Sequence, residues 1–289
     1  MSQEQTISSK TMFSFEVFPP KRDMPIDKIY QTLGELAELE PDFISVTCGA
    51  GGSSAGGSVR TVEVAAAIQD KYHRQSVAHL PCIYFSRAGI METLEQMRAK
   101  GIDKLLALRG DRVPGAEPQQ DFRHAKDLIA FVREQTGDEF RIFATCYPEG
   151  HIEAPSLDAD IQFLKQKVEA GADHLISQLF FDNDFFYKFR EKAQLAGIGV
   201  PIEAGIMPVT SKSQIERMVA MCGATLPRKF QRILAKYESR PEALRDAGIA
   251  FAIDQIVDLL GNGVDGIHLY VMNNPYVARK ISDSIRRLL

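Results

Sequence analysis

Two hydrophobic periodicities alternate along the chain. Short apolar or β-branched runs lie at 12–18, 43–48, 75–80, 104–109, 141–147, 174–180, 201–206 and 266–272, most of them opened by a polar or glycine residue. They predict eight strands. Between them, apolar residues recur at helical spacing over 26–39, 89–99, 122–135, 157–170, 183–195, 212–221 and 276–289, as in helices that bury one face. The segment 226–261 predicts two further helices, with Pro241 placed to start the second. Three helices end in Gly-x-Asp, at Gly101, Gly171 and Gly263. A glycine just past the helix end, turning the chain into the next strand, accounts for all three. The stretch GAGGSSAGGS, 49–58, reads as a loop.

Eight strands alternating with helices over 289 residues fit an α/β fold of the (β/α)8 TIM-barrel type, with extra helices between strands 7 and 8. We expect residues 1–289 to form a single domain, with 1–11 as a flexible tail. An open doubly wound sheet is the alternative. The first strand, however, runs into FPPKRDMP, which lacks the glycines of a dinucleotide-binding turn.

Composition narrows the function classes. The chain is 45% hydrophobic and 25% charged, with net charge -4 and no basic tail, so neither nucleic acid nor an anionic membrane is an expected partner. No apolar run approaches the roughly 20 residues of a membrane span. The start, MSQEQTISSKTM, lacks the apolar centre of a secretory signal, and a cytoplasmic location is expected. Cys48, Cys82, Cys146 and Cys222 form no CxxC pair. They read as thiols in a reducing compartment, and no metal is expected.

In a parallel barrel, chemistry sits at the C-terminal strand ends. There the sequence places Glu16, Thr47, His79, Arg109 with Asp111, Tyr147 with Glu149 and His151, Gln178, and Tyr270 with Asn273. Each alone is as easily a loop anchor; seven of eight strands ending this way points to one functional rim. Glu16 stands out, a carboxylate inside the apolar run FSFEVFPPK. Period-two alternation puts Phe13, Phe15 and Val17 on one face and Ser14, Glu16 and Phe18 on the other. A buried unpaired charge there costs several kcal/mol. Glu16 is therefore either a carboxylic acid with a raised pKa or an ion-pair partner of an arginine or lysine. Among the candidate strands a lysine occurs only at Lys104, which opens the strand 104–109 at the end away from the rim and is not set for Schiff-base chemistry. No HExxH motif occurs, and the GxSxG match at Gly52–Gly56 falls inside the glycine- and serine-rich stretch 49–58, which gives no support for a nucleophile elbow.

The motifs FSFEVFPPK (13–21), ISVTCGAGG (44–52), AHLPC (78–82), LALRGD (106–111), YPEGH (147–151), LKQKVEAGADHLISQLFFDN (164–183), GIMPV (205–209) and GIHLYVMN (266–273) stand in one order over nearly the whole chain. Together they resemble methylenetetrahydrofolate reductase, the catalytic barrel in its short bacterial form. The resemblance implies an FAD-containing oxidoreductase of one-carbon metabolism. Such an enzyme reduces 5,10-methylenetetrahydrofolate to 5-methyltetrahydrofolate with NADH or NADPH by ping-pong hydride transfer. It implies Glu16 as general acid, protonating N10 as the folate ring opens to a 5-iminium cation. Asp111, Gln178, Lys212 and Asn274 fall at substrate-binding positions. Thr47, His79, Arg109, Gly110, Asp111, His124, Ala144, Tyr147, His151, Asp160 and Lys167 fall at FAD-binding positions. Four residues depart from the family pattern. Phe163 stands where a polar side chain is usual, His124 where a tyrosine is common, Lys212 where an aromatic is frequent, and Asn274 where an arginine is frequent. A homo-oligomer is expected, and a partner protein as electron donor stays open. So do two other readings: another FAD-dependent barrel of the proline dehydrogenase kind, and a non-catalytic partner subunit.

Overall fold

The computed structural model describes residues 10–20, 24–48, 55–112 and 115–289. Eight parallel strands close into one barrel in chain order: β1 (Met12–Val17), β2 (Phe43–Val46), β3 (Gln75–Pro81), β4 (Lys104–Leu108), β5 (Arg141–Cys146), β6 (His174–Ser177), β7 (Ile202–Ile206) and β8 (Gly266–Tyr270). Strand β1 pairs with β2 through Glu16↔Ser45 and with β8 through Glu16↔Tyr270, which completes the ring. Around it lie α1 (Lys28–Ala37), α2 (Ala55–Tyr72), α3 (Arg87–Ala99), α4 (Ala125–Thr136), α5 (Leu157–Glu169), α6 (Asn183–Leu195), α7 (Lys212–Cys222), α8 (Arg228–Tyr237), α9 (Pro241–Gly261) and α10 (Pro275–Ile285). The two added helices between β7 and β8 are α8 and α9, as the segment 226–261 predicts.

One expectation fails. The stretch 49–58 does not remain loop throughout, because α2 is helical from Ala55. Gly56, Gly57 and Ser58 are poor helix formers, so their composition hid the start of a long helix whose later turns bury Val62, Val64, Ala65 and Ile68. Residues 49–54 lie outside the described residues.

Alternation along the strands sorts side chains into two cores. Outward residues such as Phe13, Phe15, Val17, Ile44, Leu105, Ile142, Leu175, Ala204 and Ile267 pack under the helices. Inward residues Phe43, Val77, Leu106, Phe143 and Ile176 form a separate apolar cluster inside the barrel. A third cluster, including Met207, Val209, Ile215, Phe230, Leu234 and Leu244, seats α7, α8 and the start of α9 beside the ends of β6 and β7. In α8, Phe230 and Leu234 sit one turn apart on a single buried face.

The Gly-x-Asp signals carry more than a turn. Gly101, Gly171 and Gly263 all have positive φ, the conformation glycine adopts at no steric cost. Two of the three aspartates also cap a neighbouring strand. Asp173 Oδ2 accepts from Ile142 N at 2.7 Å, and Asp265 Oδ2 accepts from Ile202 N at 2.9 Å. Asp42 does the same for Phe13 N at 2.8 Å. These carboxylates, each just before an even-numbered strand, satisfy the first or second amide of the preceding odd one and so tie the starts of neighbouring strands together.

Candidate active site

The barrel interior above the Phe43 layer is polar. Glu16 and Tyr270 sit side by side on β1 and β8. Glu16 is about one-fifth exposed, and its basic neighbours within 4.0 Å among the described residues are imidazoles: His79 Nε2 at 3.6 Å and His268 Nε2 at 4.0 Å. Among the described residues, no arginine or lysine of the kind left open by the sequence faces it. Tyr270 donates to the Ser177 carbonyl at 2.7 Å, and burial pushes its phenol well up, with Glu16 adding to the shift.

His79 is buried, and its Nε2 has no hydrogen-bond partner. Burial lowers its pKa from 6.5 to about 4, although Glu16 pulls the other way. The imidazole is thus neutral at neutral pH and places no cation beside Glu16. Below pH 6.5 the unfolded chain binds a proton that the folded chain refuses until about pH 4. Stability is therefore lost as pH falls through that window, by about 3 kcal/mol in total. A His79→Asn variant is expected to show a shallower loss of stability in urea denaturation across the same window; an unchanged slope would remove His79 as the cause.

A cavity of about 910 Å³ opens beside this group, near the upper end of the range for small-molecule sites. His79, Arg109, Gly110, Asp111, His124, Tyr147, His151, Asp160, Lys167 and Gln178 line it, with Phe163, Arg112, Lys126 and Glu153. Gly110, in its lining, has φ +89, and a Cβ there would stand 3.0 Å from Pro81 Cβ and 3.3 Å from Ile83 Cγ2, so both the backbone conformation and the close approach to β3 require glycine. Four basic residues line the cavity, Arg109, Arg112, Lys126 and Lys167. Lys167 donates to the Thr145 carbonyl at 2.8 Å, and burial lowers its pKa against the pull of Asp160. Arg109 grips Glu153 with two bonds of 2.5 and 3.0 Å. Asp160 and Lys167, two turns apart on α5, both face the cavity, and burial raises the Asp160 carboxyl. Tyr147 meets His151 edge-on with ring centroids 4.7 Å apart, and Lys167 lies over its ring at 5.7 Å. Gln178 Oε1 accepts from Leu179 N at 2.9 Å, which spends its carbonyl on the backbone and turns its amide NH2 to other use. The wall is thus built for a large ligand with an anionic segment and a flat aromatic one.

The sequence profile of the methylenetetrahydrofolate reductase family matches residues 1–286. The chain belongs to this family. A reductase named for NADH from Arabidopsis thaliana is 35% identical over 281 residues, which cover 93% of this chain and 47% of the relative. A 5,10-methylenetetrahydrofolate reductase of Pectobacterium carotovorum is 32% identical, covering 94% of this chain and 89% of the relative. A probable NADPH enzyme of Caenorhabditis elegans is 33% identical, covering 98% and 43%. The chain spans about half the length of the plant and fungal relatives it matches. A solved Clostridium thermocellum protein, described as binding two copies of 5-methyl-5,6,7,8-tetrahydrofolic acid, superposes with TM-score 0.63 at 12% identity over 98% of this chain and 97% of its own. That likeness shows the shared fold.

The family's motif positions do not all meet at the cavity. Glu16 lies beside it, within reach of His79. Thr47 follows β2; its amide bonds Val17 O, and its carbonyl accepts from Thr61. Ala144 is fully buried on the helix-facing side of β5, so only its backbone is near the interior. Lys212 starts α7 and pairs with Glu238 and, at 4.0 Å, with Glu216. Asn274 caps α10, its side chain accepting from Val277 N at 3.3 Å. Phe163, a departure from the pattern, is exposed on the cavity rim. Sequence reasoning missed Glu153, the partner of Arg109, and the interior polar residues Ser14, His174, Glu203 and His268. For two of these the signal was present: Ser14 shares a face with Glu16, and His268 shares one with Tyr270, two residues away in each case. Among the described residues no group of acidic, histidine or cysteine side chains is set to hold a metal, and no helix is long and apolar enough to cross a membrane.

Proposed function

We propose that this chain reduces 5,10-methylenetetrahydrofolate to 5-methyltetrahydrofolate with NADH or NADPH, using FAD held in the barrel-top cavity. The observation that carries the reading is the convergence of three sets of groups. These are a carboxyl beside neutral imidazole at the end of β1, the pair Asp111 and Gln178, and the cations Arg109 and Lys167 along one wall.

The residues present suit FAD. The unpartnered Nε2 of His79 offers a polar contact, Gly110 adds no side chain to the lining, and Lys167 and Arg109 match a diphosphate. Arg109 meets it by exchanging Glu153. Tyr147 and His151 supply packing and hydrogen-bonding surface, and Asp160 accepts from ribose or adenine. When bound, FAD supplies a hydride carrier between nicotinamide and folate.

The chain's own residues supply the rest. Glu16, which meets only imidazoles within 4.0 Å among the described basic residues, delivers the proton to N10. Asp111 accepts from the pterin's paired N–H groups, and its charge favours the 5-iminium cation. The NH2 of Gln178 donates to the pterin edge. Nicotinamide and folate occupy one site in turn, a ping-pong order. Lys212 is committed to Glu238 and Asn274 to the α10 cap, so neither carries a role in this reading.

The test is steady-state oxidation of NADH and NADPH by purified protein supplied with FAD. Turnover is expected only when 5,10-methylenetetrahydrofolate is added, with 5-methyltetrahydrofolate as product. Flavin reduction by proline instead would favour the proline dehydrogenase reading, and failure to retain FAD would favour a partner subunit.

A further inference from the structure

Beneath Glu16, the barrel interior holds a buried chain of polar groups that the proposed chemistry leaves unused. Glu203, on β7, is fully buried. Its Oε1 lies 2.8 Å from His174 Nε2, and its Oε2 accepts from Ser14 Oγ at 2.5 Å. Ser14 Oγ also lies 2.7 Å from His268 Nδ1. His268 Nε2 then faces Ser45 Oγ at 3.4 Å and Glu16 Oε2 at 4.0 Å. From the floor upward the order is His174, Glu203, Ser14, His268, Glu16.

We infer that Glu203 is a positioning residue that, through Ser14 and His268, sets the proton affinity of Glu16 from inside the barrel. The inference rests on the reading of Glu16 as the acid, but its structural half stands independently. An ionised carboxylate only accepts hydrogen bonds, and a serine hydroxyl has one proton to give. Ser14 spends that proton on Glu203. It must then accept from His268, so His268 carries its hydrogen on Nδ1. With that hydrogen on Nδ1, Nε2 presents a lone pair, not an N–H, toward Ser45 and Glu16. A lone pair facing a carboxylate disfavours the ionised form, and a donor there would stabilise it.

Charge works in the same direction. A buried carboxylate needs a counter-charge, and His174, itself fully buried, closes on Glu203 at hydrogen-bond distance, while His268 Nδ1 is 4.0 Å from the same carboxylate. His174 Nδ1 has no hydrogen-bond partner, so the ring meets Glu203 through Nε2 alone, on the far side from the cavity. A proton added to His268 would instead set a cation 4.0 Å from Glu16. The other titratable groups facing Glu16 are His79 on β3, kept neutral by burial, and Tyr270 on β8, whose pKa burial raises. Replacing the whole arrangement by apolar residues would fill the space without the cost of burying charge, so stability alone gives no reason for it.

Glu203→Gln puts an amide NH2 where Ser14 now donates. Ser14 is then released to donate to His268 Nδ1, and the ring turns an Nε2–H toward Glu16. Ser14→Ala cuts the link while leaving the Glu203–His174 pair in place. In both variants the alkaline limb of the folate half-reaction is expected to move about one pH unit lower, a tenfold slowing at neutral pH, with flavin reduction by nicotinamide unchanged. A purely structural role would slow both half-reactions together and leave the limb in place, and that result overturns the inference. A direct measurement needs no turnover: nitrogen-15 NMR of histidine-labelled wild-type protein. The Nδ1–H form of His268 is expected. The Nε2–H form overturns the inference whatever the variants do, and leaves the proposed reaction standing.

Discussion

Exchanging Glu16 for glutamine is expected to leave flavin reduction by nicotinamide intact and to slow folate turnover about a hundred- to ten-thousand-fold, the contribution typical of a positioned general acid. Glutamine preserves the size and the strand register with Ser45 and Tyr270, so the barrel rim stays in place. What it removes, on the proposed mechanism, is the proton delivered to the departing N10. An amide donates hydrogen bonds but does not give up a proton at any pH the protein survives. Hydride delivery from nicotinamide requires no proton from this residue, which is why the half-reactions should separate. The check is anaerobic stopped-flow, following flavin absorbance first with nicotinamide and then with 5,10-methylenetetrahydrofolate. Equal slowing of both phases would mean that the variant disturbs cofactor binding, and a wild-type folate phase would release Glu16 from the acid role.

The second large effect concerns the scaffold beneath the site. Gly205, in the middle of β7, faces the barrel interior, where a Cβ would lie 2.1 Å from the Ser177 carbonyl and 2.8 Å from the Tyr270 hydroxyl. Its amide also donates to Ser177 Oγ at 2.9 Å. One methyl group therefore has to push β6 backbone aside or break the Tyr270 to Ser177 bond. Gly205→Ala is expected to cost about 3 kcal/mol, the upper part of the range for overpacking, and to lower Tm by about 5–10 °C. Gly199→Ala, where nothing lies within 4 Å of the added Cβ, is the matched control and should stay within about 0.5 kcal/mol. Calorimetry of both proteins decides. A Gly205→Ala variant as stable as the control would show that Tyr270 and β6 yield freely.

Most of the barrel was legible because strand and helix periodicities alternate cleanly. β3 and β5 begin where the apolar runs begin, and α6 matches its amphipathic segment end to end. The start of α2 was hidden because Gly56, Gly57 and Ser58 speak for a loop, whereas the burial of Val62, Val64 and Ile68 speaks for a helix, and burial is a tertiary fact. The rim was legible for a simpler reason: strand ends in a parallel barrel must converge. Which rim residues meet a common cavity was not, since that depends on loop paths. Lys212 and Asn274 are drawn into a neighbouring ion pair and a helix cap, and Ala144 faces outward by the same alternation that turns Thr145 in. The Glu203–His174 pair was invisible to motif reading. Its members lie on adjacent strands 29 positions apart in the chain, and only the β6–β7 register joins them.

The most direct measurement is a crystal structure of the FAD-loaded protein with 5-methyltetrahydrofolate. This account requires the folate stacked in the barrel-top cavity, its pterin on Asp111 and Gln178. It also requires a Glu16 carboxyl oxygen within about 3 Å of N10, directly or through one water. Folate seated with N10 out of reach of Glu16, or flavin bound away from Arg109 and Lys167, would contradict it.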